Sequence, residues 1–164
     1  MECLPTHRGR LRGSVNLPTS KSLTNRALIA SAVAGGGTVV TPLDCVDTRV
    51  LAAALEAAGW SVEWGTEIRI GERTVPKNAV SVDLVDSGTG SRLILALLAA
   101  SPGKSVVDGS ARLRERPMAP LLESLTHLGA DLGSCDGFLP VEIEGAKLQG
   151  GTVEMQPGVS SQFV

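Results

Sequence analysis

Aromatic residues are almost missing from this sequence: two Trp, two Phe and no Tyr among 164 residues. A core must therefore be assembled from Leu, Val, Ile and Ala, and the stacked aromatic platforms that hold single-stranded nucleic acid are excluded. Cysteine is scarce too. Cys3, Cys45 and Cys135 are odd in number, far apart and in no Cys-x-x-Cys pair, which argues against a disulfide framework or a zinc site and fits a reducing cytoplasm. No apolar run approaches the roughly 18 residues of a membrane span, and the first ten residues lack the apolar centre of a signal peptide. Charge of one sign is also lacking: the net charge is −2, so no global basic field points to nucleic acid or to a membrane surface.

What is present is a hydrophobic content of 43%, with 19 Gly and 9 Pro. A chain of this length buries roughly 70% of its unfolded surface, enough for a core, while the glycines and prolines imply many tight turns. Three segments share a strand, small-polar loop and helix start. They are SVNLPTSKSLTNRALI from Ser14, SVDLVDSGTGSRLILA from Ser81 and GTVEMQPGVSSQFV from Gly151, with Val15, Val82 and Val153 in register at spacings of 67 and 71. Each copy aims the free N–H groups of a helix start out of a strand end, and such ends attract anions.

Hydrophobic spacing predicts the elements between these loops. In the first unit, Val15–Leu17 reads as a strand, Ser22–Ala34 as a helix and Thr38–Val40 as a strand. A second helix follows, capped by Asp47, with Val50, Leu51, Ala54, Leu55 and Ala58 on one face and Gly59 at its end. SVEW and EIRI, split by Gly65 and Thr66, read as a hairpin. The second unit repeats the order with a strand at Val82–Val85, a helix at Ser91–Ala100 and a strand at Ser105–Val107. A helix at Pro117–Leu128 and strands near Ala130–Leu132 and Val141–Glu144 complete it. The pattern is βαβαββ, twice, in at least partly parallel sheets with helices packed on them. On this reading residues 1–13 are an N-terminal segment that can join another lobe, 14–80 are unit one, 81–150 unit two, and 151–164 the start of a third.

The densest chemistry is Ser20, Lys21, Ser22, Thr24, Asn25 and Arg26. If a helix starts near Ser22, its first N–H groups, the Ser22 hydroxyl and the Lys21 ammonium converge, with Arg26 one turn on. That is a phosphate site, although a plain serine cap with solvated basic side chains also fits. It is not a P-loop, since the glycine five residues before the lysine is missing. In the second copy, Gly88 and Gly90 allow close backbone approach to a ligand, with Thr89 and Ser91 as hydroxyl donors; a flexible capped turn is the alternative. Arg112, Arg114 and Arg116 fall on one side if their segment is extended, facing either solvent or an anion. Arg8, Arg10 and Arg12 read as a solvated face. His7 and His127 belong to no triad or metal set, and Asp44 has no evident partner.

LPTSKSLTNRAL, DSGTGSRL, GSARLRERP and GVSSQF, in this order, resemble the N-terminal portion of the 5-enolpyruvylshikimate-3-phosphate (EPSP) synthase family from Leu11 to Val164. The related family that transfers the same group to a UDP-amino sugar shares the fold but normally lacks the S-K-S…R loop. The resemblance implies an α/β fold of repeated βαβαββ units of the enolpyruvyl transferase type, here about two complete units and the start of a third. It implies transfer of the enolpyruvyl group of phosphoenolpyruvate to the 5-hydroxyl of shikimate 3-phosphate, with no metal or organic cofactor, in the cytoplasm. Lys21 would contact both substrates, Ser22 and Arg26 would hold shikimate 3-phosphate, and Gly88 and Arg116 would line the phosphoenolpyruvate site, with Thr89 and Arg92 beside it. Ser160, Ser161 and Gln162 would bind shikimate 3-phosphate from the third unit. The sequence departs from the family at Thr19, where Gly is usual, at Asp86, where Asn is usual, and at Leu93, where Pro is usual. Because the family carries its acid/base groups in a later half, the expectation is a chain that acts with a complementary C-terminal polypeptide. A noncatalytic anion-binding fragment is the alternative from a different class.

Overall fold

The computed structural model describes residues 12–154. Ser160, Ser161 and Gln162, and with them most of the third copy, lie outside the described residues. Two sheets share one hydrophobic core with the helices between them. The first is three-stranded, in the order β1 (Gly37–Val39), β3 (Ile68–Arg73), β2 (Trp60–Trp64), and every pairing is antiparallel. The second has four strands, in the order β4 (Val80–Asp83), β5 (Gly103–Asp108), β7 (Phe138–Gly145), β6 (Asp131–Cys135). Its β4 runs parallel to β5, with Val82 opposite Val107, and the other pairings are antiparallel. Without β4, the second sheet repeats the order and the pairings of the first.

Three helices lie at the junction: α1 (Lys21–Val33), α2 (Val46–Ala57) and α3 (Gly88–Ala99). The α2 stripe of Leu51, Ala54, Leu55 and Ala58 is buried as its spacing predicts. Gly59 follows at φ 100°, and Gly129 stands at φ 97° in the matching place of the second unit, a backbone region that only glycine enters at little cost. The hairpin of β2 and β3 forms around Gly65 and Thr66. Arg73 ties the units together: its Nε donates to the Ala58 carbonyl at 2.9 Å, Nη1 donates to the Pro102 carbonyl at 2.8 Å, and the guanidinium lies 4.3 Å from the Trp60 ring centroid. The Ala58 carbonyl is the C-cap of α2, where a cation is favoured, and Pro102 lies in the turn between α3 and β5.

Four expectations are corrected. Val15–Leu17 forms no strand; Val15 is 82% and Leu17 84% exposed. Alternating apolar residues give the capacity to pair, but a strand needs a neighbouring edge. The helix expected at Pro117–Leu128 is α5 (Ala119–His127), with Pro120 rather than Pro117 in its first turn, and an unexpected short helix, α4 (Ala111–Arg114), precedes it. The cap of α2 is Cys45, not Asp47; the Thr48 hydroxyl accepts from the Cys45 N–H at 3.1 Å and donates to the Leu43 carbonyl at 2.7 Å. The cap of α1 is Ser20, whose hydroxyl accepts from the Leu23 N–H at 3.3 Å, so the helix begins at Lys21.

Candidate functional site

The N-terminal ends of α1, α2 and α3 meet on one side of the molecule, and the polar residues of the loops gather there. Lys21, the first residue of α1, donates to Asp47 Oδ2 at 2.7 Å across 26 residues. The hydrogen bond and charge of Asp47 hold the Lys21 ammonium above its ordinary range, against the opposing effects of burial and of the like charge on Arg116. Residues of the first and second units thus act on one another electrostatically at this point. Ser22 Oγ accepts from Arg26 Nη1, which also donates to the Ser22 carbonyl at 3.3 Å. Ser22 and Arg26 form one exposed pair, a turn apart as expected.

In the second unit Gly88 opens α3, and a Cβ placed on it would collide with the Arg116 guanidinium and meet Arg92 Nη1 at 3.4 Å. Gly88 is therefore the gap through which Arg116 reaches the helix start. Arg92, one turn on, is 9% exposed. Its Nη1 donates to the Gly88 carbonyl at 2.8 Å and its Nη2 to the Pro117 carbonyl at 3.3 Å. Burial, and after it the like charge of Arg116, pushes the Arg92 guanidinium below the ordinary arginine range. No carboxylate forms an ion pair with Arg116 among the described residues. Lys21, Arg92 and Arg116 thus place three cations around helix starts that already favour anions, each by about 0.3–1 kcal/mol and up to about 2 where partly buried.

Other residues divide differently from their sequence reading. Gly90 makes room for its own chain: a Cβ there would lie 2.6 Å from Ser87 Oγ and 3.4 Å from Leu84 Cδ1. Thr89 is half-buried in the first turn of α3, and the Ser91 hydroxyl turns inward to donate to the Gly88 carbonyl at 3.0 Å. The three arginines before α5 do not share a side, because their segment is the short helix α4 rather than extended chain. Arg112 is exposed, while Arg114 grips Asp108 at 2.8 and 2.5 Å and lowers that carboxyl's pKa. Asp44 has a partner after all, a two-point contact with Arg49 at 2.7 and 2.6 Å.

Two residues escaped the sequence. Asp47 reads as a cap, and no local spacing reveals a partner 26 residues away. Ser110, to which the sequence reading gives no role, caps α4 by accepting from the Leu113 N–H at 3.2 Å. Its hydroxyl also donates to Asp86 Oδ1 at 2.5 Å, holding the Asp86 carboxylate.

The family model described as EPSP synthase (3-phosphoshikimate 1-carboxyvinyltransferase) matches residues 5–164. The chain is 37% identical over 164 residues to an Aliivibrio fischeri protein named 3-phosphoshikimate 1-carboxyvinyltransferase, covering 94% of this chain and 38% of that one. A Halobacterium salinarum protein of the same name is 40% identical over 163 residues, with 94% and 37% covered. Among solved structures, an EPSP synthase from Acinetobacter baumannii superposes with a TM-score of 0.78 at 29% identity, covering 92% of this chain and 36% of that one. The chain spans little more than a third of the length of these relatives.

Proposed function

The chain belongs to the EPSP synthase family, and we propose that it forms the substrate-gathering part of an enzyme that transfers the enolpyruvyl group of phosphoenolpyruvate to shikimate 3-phosphate. The observation that carries this reading is the approach of Arg116 and Arg92 to the Gly88 helix start, with Lys21 near enough to sense the charge on Arg116. Here cations from both units converge, and Arg116 has no counter-charge among the described residues. Such a site is complete only with an anion in it.

In the proposed reaction the 5-hydroxyl of shikimate 3-phosphate adds to C2 of phosphoenolpyruvate as C3 takes up a proton. The tetrahedral intermediate then expels phosphate, and C3 returns the proton as the double bond re-forms. Ser22 and Arg26 would hold shikimate 3-phosphate, with Ser160, Ser161 and Gln162 completing its site. Gly88 and Arg116, with Thr89 and Arg92 beside them, would hold phosphoenolpyruvate. Lys21 would touch both. Two anions brought together in this way lose their hydration to fixed cations and helix starts, which supplies alignment and charge stabilisation at once. The acid/base groups would come from residues that correspond to the remaining length of the relatives, whether a continuation of this polypeptide or a complementary chain. Residues 14–80 and 81–150 are taken as two units of this assembly, with 1–13 joining the other lobe and 151–164 opening a third unit. The unpaired Cys45 and Cys135 fit a reducing cytoplasm, and none of the described helices is long and apolar enough to cross a membrane.

Calorimetric titration of shikimate 3-phosphate tests the site. Lys21→Ala and Arg26→Ala should each weaken binding by about 1.5–3 kcal/mol, the usual worth of a hydrogen bond to a charged group. Unchanged affinity in both variants would remove the assignment. Turnover should appear only with the C-terminal portion of a relative added; binding without turnover in that mixture would favour a noncatalytic anion-binding protein.

A further inference from the structure

The parallel strands β4 and β5 end side by side, Asp83 opposite Asp108, and the loops that leave them are bolted together. The Leu84 N–H donates to the Asp108 carbonyl at 2.9 Å and the Ser110 N–H to the Val85 carbonyl at 2.8 Å. Gly109 lies so close that a Cβ on it would sit 2.8 Å from the same Val85 oxygen. Val85 itself takes φ 51°, a region that β-branched residues rarely enter, and its N–H is held by Asp83 Oδ1 at 2.8 Å. This turn delivers Asp86 to Ser110, whose hydroxyl donates to Oδ1 at 2.5 Å while its other side accepts from the Leu113 N–H.

Asp86 stands two residues before Gly88, where α3 begins and Arg116 rests. A carboxylate at that place is drawn to the helix start and to the arginines by the same forces that draw a ligand. We propose that Ser110 is a positioning residue that keeps the Asp86 carboxylate off the anion site at the start of α3, so that the chain does not fill the site with its own charge. In a variant without the hydroxyl, Asp86 is free to turn toward Gly88 and Arg116 and compete with an incoming anion. The ligand named in the test rests on the reading under Proposed function; the relation between Ser110 and Asp86 rests on the geometry alone.

The test is a four-variant cycle on the 164-residue chain, with phosphoenolpyruvate as the probe and the backbone amide resonances of Gly88–Ser91 as the readout. Ser110→Ala should weaken binding about tenfold, within the range of coupling between contacting residues. The same change made on Asp86→Asn should weaken it less than about twofold, since no carboxylate remains to compete. Ser110→Thr, which keeps the hydroxyl, should bind as the parent chain does. An equal loss from Ser110→Ala in both backgrounds would overturn the proposal, because the effect would then come from the α4 cap and a displaced Arg116. No loss in either background would overturn it as well. If phosphoenolpyruvate moves none of these amides in any variant, the proposal fails. The wider reading of the site then fails with it only if shikimate 3-phosphate also leaves Lys21–Arg26 undisturbed.

Discussion

At the first turn of α1 the chain places Lys21, and 67 residues later, at the first turn of α3, it places Gly88. One turn further on, the same spacing sets Asn25 against Arg92. The first unit supplies its cation from the helix itself and steadies it with Asp47. The second clears its helix start so that Arg116 reaches in from a later loop, and sinks a second arginine beneath. The surroundings differ to match. Nine of twelve α3 residues are buried and only four of thirteen in α1, so a side chain in α3 has few places to move. The second sheet also has β4 beside β5, whereas the matching edge of β1 has no strand among the described residues. One architectural unit, used twice, can therefore serve as a solvated arm in one copy and a rigid cradle in the other.

The contrast in rigidity is the easiest to break. Leu95 in α3 is fully buried, and Leu95→Ala should cost about 3 kcal/mol of stability in urea denaturation, as buried Leu truncations do. Leu23 in α1 is 69% exposed, and Leu23→Ala should stay within about 0.5 kcal/mol. Similar losses in the two would erase the distinction. Next is the exchange of lysine for glycine: Gly88→Ala should push Arg116 aside and weaken phosphoenolpyruvate binding by about 2 kcal/mol, while shikimate 3-phosphate affinity changes less than about twofold. Calorimetry with both ligands would show whether the losses divide in this way.

The pair one turn further on should respond with opposite signs. Both amide atoms of Asn25 are buried and have no hydrogen-bond partner among the described residues. Asn25→Leu should raise stability by about 1 kcal/mol, because an unmade buried hydrogen bond disappears. Arg92→Leu should lower stability by about 1–3 kcal/mol, because the Pro117 carbonyl loses its Arg92 donor and the Gly88 carbonyl one of its two side-chain donors. Equal signs in thermal unfolding would show that the two positions are not environmental opposites. The smallest effect is in pH. Arg114 depresses the Asp108 carboxyl, so that pair stabilises the second unit above the ordinary carboxylate range and is lost as pH falls below about 4. Asp47 raises Lys21, so its pair stabilises the first unit at neutral pH and is lost as pH climbs past about 10.4. Each is partly exposed and worth less than about 1 kcal/mol; Asp108→Asn should flatten the acid limb alone and Lys21→Met the alkaline limb alone.

Much of this was legible before any coordinates. The stripe of α2, the glycines at 59 and 129 and the β2–β3 hairpin follow from local rules, because the residues that decide them are near neighbours in sequence. The helix starts near Lys21 and Gly88 are legible too, because small polar residues favour the caps of helices. Contacts between distant segments were not legible. Lys21 meets Asp47 and Arg116 meets Gly88 only once sheets and helices have stacked, and neither pair leaves a spacing to read. The missing strand at Val15–Leu17 has the same cause, since pairing is decided by a neighbour and not by the segment. Gly90 misled for another reason: a glycine that spares room for its own chain looks the same in sequence as one that spares room for a ligand.

Arg73 acts at the opposite ends of the helices from Lys21, Asp47 and Gly88. By bridging the C-cap carbonyl of α2 and the turn that leaves α3, it is a fixed pivot that those two helices share. Each is twelve residues long, a rigid lever of about 18 Å, so a tilt of roughly 3° at the pivot moves the far tips by about 1 Å. A contact at one end of the helices therefore bears on the spacing of their starts, which it does not touch.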